Sequence, residues 1–185
     1  MFRKYYWCAA LAALICSPPL VIAHELGAHV HGVATLQIAV DENTMTLDFS
    51  SPLDNLIGFE HAPRNAKQQA AVKHMADSLN RADQFFIPTA DAQCTLQSVK
   101  LDSPVLEPQA ALDKKEKSQQ HEEERAHADL DGEFVFACKQ TGKLHDLEVK
   151  LFDSYPNLHQ LKVEVATQKK QAAASLTPDQ RRASW

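Results

Sequence analysis

Apolar and polar positions alternate along Val33, Leu36, Ile38 and Val40, break at Asp41-Glu42-Asn43, and resume at Met45, Leu47 and Phe49. Period two on either side of a polar turn predicts a β-hairpin, since successive side chains of a strand point to opposite faces. After Pro52 the spacing changes. Behind Pro63, the stretch from Arg64 to Gln84 sets Ala66, Ala70, Val72, Met75, Leu79 and Ala82 at near-helical intervals. This predicts one long helix with a proline in its first turn. Phe85, Phe86, Ile87 and Pro88 close it and are expected to tuck under the sheet.

Alternation returns at Cys94, Leu96, Val99 and Leu101, and Phe134 to Cys138 reads as a partner strand. Leu147, Val149, Leu151 and Phe152, then Tyr155-Pro156, then Leu158, Leu161, Val163 and Val165 predict strand, turn and strand, with an Ala-rich tail from Gln171. Residues 103–128 are rich in Pro, Gln, Lys and Glu. Such a composition cannot bury a core and predicts a mobile charged loop. Thr46-Leu-Asp-Phe-Ser-Ser-Pro echoes Lys150-Leu-Phe-Asp-Ser-Tyr-Pro, which raises a pseudo-repeat of two halves. The expected fold is α+β, a single domain dominated by antiparallel β-hairpins with one long helix.

The first residues change the picture of where this domain works. Arg3 and Lys4 precede an apolar run that ends Val21-Ile22-Ala23, the pattern of a signal peptide cleaved after Ala23. Residues 1–23 are therefore assigned to the leader and 24–185 to one domain, exported to the periplasm. Pro18-Pro19 would break a membrane-spanning helix, and Ile15 stands where a lipoprotein peptidase wants a small residue, so no stable membrane anchor is expected. A formal net charge of −5 disfavours nucleic acid and anionic membranes as partners and suits cations.

Of four cysteines, Cys8 and Cys16 fall in the leader, which leaves Cys94 and Cys138. In an oxidising compartment an isolated pair reads as one disulfide. The alternative is thiolate ligation of a metal, for which neither cysteine has a Cys or His two to four residues away.

Histidines gather at three points. The stretch from His24 to Gly32 holds His24, His29 and His31. His29 and His31, two apart on an extended chain, project from the same face. That arrangement suits Zn²⁺, held by neutral imidazole nitrogen; the rival reading is a solvated terminus that happens to be rich in histidine. At the hairpin-to-helix junction, Gly58-Phe59-Glu60-His61-Ala62-Pro63 offers His61 as a third nitrogen and Glu60 as a carboxylate ligand or a partner that fixes the imidazole tautomer. Capping or packing is the rival role there. His127 with Asp129 repeats the alternate-residue spacing, and His145 is a candidate to join them. His121, beside Glu122, Glu123 and Glu124, is a candidate ligand within what otherwise reads as a solvated charge run. His74 and His159 read as ordinary surface residues.

Signatures of catalysis are missing. There is no His-Glu-x-x-His, no Gly-x-Ser-x-Gly and no Gly-rich phosphate loop, with five glycines in all. Binding without turnover is the simpler expectation, and affinity for the ion should fall as pH drops through about 6.5, because an imidazole sheds its proton to ligate.

The leader, the His-x-His-Gly start, Gly-Phe-Glu-His-Ala-Pro, the Cys94/Cys138 pair and Leu147-Glu-Val-Lys-Leu-Phe-Asp-Ser-Tyr-Pro together resemble the ZrgA family of periplasmic zinc-binding proteins. The resemblance implies induction under zinc limitation and a part in zinc uptake, alongside a high-affinity zinc ABC importer or its substrate-binding protein. It implies His29, His31 and His61 as one site and His127 with Asp129 as candidates for another. Where members carry a long His-rich insert in the central loop, this chain has only His121 and His127 among Glu, Gln and Lys, which puts bulk capture of ions in doubt. Two other classes remain: a copper- or nickel-handling protein using the same imidazoles, and a metal-free envelope interaction module.

Overall fold

The computed structural model describes residues 30–106 and 128–185. The expected leader at 1–23, His24, His29, His121, His127 and most of the charged stretch lie outside the described residues. The strands are β1 (Val33–Asp41), β2 (Thr44–Pro52), β3 (Phe86–Pro88), β4 (Cys94–Asp102), β5 (Asp129–Cys138), β6 (Asp146–Val149), β7 (Gln160–Thr167), β8 (Gln171–Leu176) and β9 (Arg182–Ser184). The helices are α1 (Leu53–Ile57), α2 (Ala66–Leu79) and α3 (Leu151–Ser154).

The fold is α+β, mostly sheet with few helices. A six-stranded sheet runs β4-β5-β2-β1-β7-β8, and a three-stranded one runs β3-β6-β9. Alternation builds the large sheet: Leu36 and Ile38, Met45, Leu47 and Phe49, Leu130, Phe134 and Phe136, and Leu161, Val163 and Val165 are all buried. The small sheet covers that inner face through Phe86, whose ring lies 5.1 Å from Phe134 and 6.5 Å from Phe49. Helix α2 adds Val72, Met75 and Leu79 to the same core. Among the described residues no helix is long and apolar enough to cross a membrane.

Several expectations need correction. Helix α2 stops at Leu79, and Asn65 caps its start by accepting the Gln68 amide at 3.0 Å, so Pro63 lies before the cap rather than in the first turn. The segment around Leu147 and the one around Val163 do not form a hairpin. β6 ends at Val149, Leu151 and Phe152 turn into α3, and β7 joins the other sheet in parallel with β1. The Ala-rich tail, to which the pattern assigns no element, supplies β8 and β9. The two echoing segments differ in structure, the first lying in β2 and the second winding into α3. At the edges of the stretch 103–128, Val105 and Ala128 are buried, and Ser103 Oγ donates to the Asp129 carbonyl at 2.6 Å.

Candidate metal centre

β1 starts, β2 ends, β5 starts and β7 starts at the same end of the large sheet, as the registers Thr35 with Ser50, Pro52 with Asp129 and Val33 with Gln160 show. His31 lies just before β1, Asp54 just after β2, Asp129 on the first step of β5 and His159 just before β7. Residues far apart in sequence are thus delivered to one corner by strand pairing.

The backbone at this corner is held from several sides. Gly32 adopts φ +82°, a left-handed conformation that glycine takes at little cost because it lacks a Cβ. Its amide donates to Asn55 Oδ1 at 2.6 Å, and its carbonyl accepts the amides of both His159 (2.8 Å) and Gln160 (2.9 Å). Asn55 is 1% exposed, and its Nδ2 donates to the Val33 carbonyl (3.0 Å) and to Ser51 Oγ (3.1 Å). A buried amide side chain satisfied in this way fixes the turn, since unmaking any one bond would strand a polar group away from water.

Helix α1 is a single turn with a function. Pro52 ends β2 and caps α1, and Gly58 at φ +79° ends it, with its amide donating to the Asp54 carbonyl at 3.0 Å. The reversal carries Phe59-Glu60-His61 back towards His31. His31 Nε2 lies 3.1 Å from Glu60 Oε1, and Nδ1 lies 3.8 Å from Asp54 Oδ2. The carboxylate is enclosed, its side chain 14% exposed, whereas the imidazole is 58% exposed. A carboxylate beside an open imidazole can orient the histidine for a divalent ion or ligate the ion itself.

His61 keeps to its own neighbours. Its Nδ1 sits 2.9 Å from the Ala62 carbonyl, and its ring stacks on Phe59 with centroids 5.1 Å apart. That bond makes Nδ1 the donor and leaves Nε2 to face a metal. Asp129 is half-buried where β5 leaves the corner. His145 contacts the Lys143 carbonyl (2.7 Å) and Asp146 (3.4 Å), and His74 is exposed on α2. Among the described residues no three His, Cys, Asp or Glu side chains already stand together as a metal-holding group. The structure brings His31 to Glu60 and Asp54, and places His61 one residue beyond Glu60.

A family description, "ZrgA family zinc uptake protein", matches residues 28–185, nearly the whole chain. The chain belongs to the ZrgA family. No curated protein is matched alongside it. Membership attaches zinc uptake to the ZrgA chain.

Two of the corner's residues escaped the sequence reading. Asp54 had a local signal, an acidic residue directly behind the Pro52-Leu53 start of a helix. His159 had none, because its place depends on the parallel pairing of β1 with β7. Cys94 and Cys138 are disulfide-bonded and directly opposite each other in the β4–β5 register, with Cα atoms 3.9 Å apart. Cys138 also donates its amide to Asn43 in the β1–β2 turn, so the crosslink sits at the far end of the sheet from His31.

Proposed function

We propose that this chain is exported to the periplasm, binds zinc there without catalysing a reaction, and passes it toward uptake when zinc is scarce. A high-affinity zinc ABC importer, or its substrate-binding protein, is the natural recipient. The observation that carries the reading is the His31–Glu60 pair at 3.1 Å, open on the imidazole side and enclosed on the carboxylate side, in a member of a zinc uptake family. Zinc takes nitrogen and carboxylate ligands in a tetrahedral set. His31 and Glu60 supply one of each, and His29, His61 and Asp54 stand close in sequence to complete it. His127 with Asp129 is proposed as a second set, with His24 and His121 as outlying donors. The disulfide between Cys94 and Cys138 fits an oxidising compartment.

The test is zinc binding by tag-free protein in competition with a chromogenic chelator. Unaltered protein should take up zinc tightly, while His31→Ala and Glu60→Ala lower affinity by at least tenfold. Equal affinity in all three proteins would remove the corner from consideration.

A further inference from the structure

We propose that His159 is a further zinc-binding imidazole of the same corner, brought beside His31 by the glycine between His31 and Val33. The inference rests on the zinc reading of that corner. β1 and β7 run parallel in the register Val33 with Gln160, and the Gly32 carbonyl takes the amides of both His159 and Gln160. Neighbouring strands lie about 4.8 Å apart, so backbone pairing sets His159 beside Gly32, the residue next to His31, whatever the side chains prefer.

The ring of His159 lies directly over Gly32. A β-carbon built on that glycine would stand 2.8 Å from His159 Cδ2, so a larger residue there would push the ring aside. Gly32 is held in place by Asn55, so the seat under the imidazole is rigid. The ring itself is exposed, and among the described residues no hydrogen bond or ion pair engages its nitrogens. His61 and His145, by contrast, each have Nδ1 against a backbone carbonyl. Exposed side chains exchange rotamers in picoseconds to nanoseconds, so His31 and His159 need only turn about their side-chain bonds to meet an ion that Glu60 and Asp54 attract. Two imidazoles and a carboxylate leave one position of a tetrahedral ion for a fourth ligand.

The experiment uses tag-free protein carrying His31→Ala, His159→Ala, His159→Gln or the control His74→Ala. Zn²⁺ affinity is read by chelator competition, the visible spectrum of the Co²⁺-loaded protein reports the ligand set, and melting without metal monitors the fold. Both His159 variants should lose at least tenfold in affinity and change the Co²⁺ spectrum with an unaltered melting temperature, and His74→Ala should behave as the parent. If His31→Ala weakens binding while the His159 variants bind and absorb like the parent, the inference about His159 is overturned and the corner stands. If neither histidine matters, the corner reading and the inference fall together.

Discussion

Asn55 Oδ1 accepts the Gly32 amide at 2.6 Å, so a buried side chain of α1 grips the backbone directly behind His31. Asn55→Ala removes this acceptor and two donated bonds, leaving the Gly32 amide and the Val33 carbonyl to find other partners. Chemical denaturation should show a loss of about 2–4 kcal/mol. Zinc affinity should fall as well, although Asn55 touches no ion. A variant as stable as the parent would mean that the turn is held by other bonds.

The crosslink between Cys94 and Cys138 spans a sequence separation of 44. On the chain-entropy account, closing such a loop restrains the unfolded state by about 4 kcal/mol. Replacing both cysteines with serine should therefore lower the unfolding free energy by up to that amount. Because the bond sits at the end of the sheet away from His31, zinc affinity should stay within about twofold. A large drop in affinity would reopen thiolate ligation.

Burial pushes the Tyr155 phenol up from 10.0 to about 12, and among the described residues its hydroxyl has no hydrogen-bond partner. Between these values the unfolded chain sheds the proton while the folded chain keeps it. Stability is thus full below pH about 10 and declines as pH rises toward 12, by up to about 3 kcal/mol. Tyr155→Phe should flatten this decline and leave neutral-pH stability unchanged or slightly higher. Once residues 1–23 are removed, Tyr155 is the last tyrosine left, so absorbance of the phenolate reads the titration directly. A midpoint near 10 would contradict the burial.

The chain is anchored on either side of residues 107–127. Asp102 pairs with Asp131, Ser103 holds the Asp129 carbonyl, and Val105 and Ala128 are buried. Replacing residues 108–126 with a short Gly-Ser linker should keep the melting temperature within a few degrees. Titration should retain the tight site at His31 and lose weaker zinc equivalents contributed by His121. Loss of the tight site instead would move the principal ligands into the excised stretch.

Local pattern made much of this protein legible. The β1–β2 hairpin, the pairing of β4 with β5 and the bond between Cys94 and Cys138 follow from alternation and from the two cysteines that lie outside the expected leader. β8 was hidden because its Gln-Ala-Ala-Ala-Ser-Leu run has low strand propensity and gains its structure from pairing with β7. The second sheet was hidden because β3 and β9 have only three residues each, too few to show a period. At the corner, Glu60 and His31 were visible as chemistry, but Asn55 and His159 matter through contacts across 23 and 127 positions of chain, which no local window contains.

The parallel seam between β1 and β7 also sets an order of events. Synthesis proceeds from the first residue to the last, so His31 emerges early yet cannot acquire its finished surroundings until Gln160 has followed. Pairings of such long range are slow to form. A nascent chain therefore has no completed corner until nearly all of it has been made.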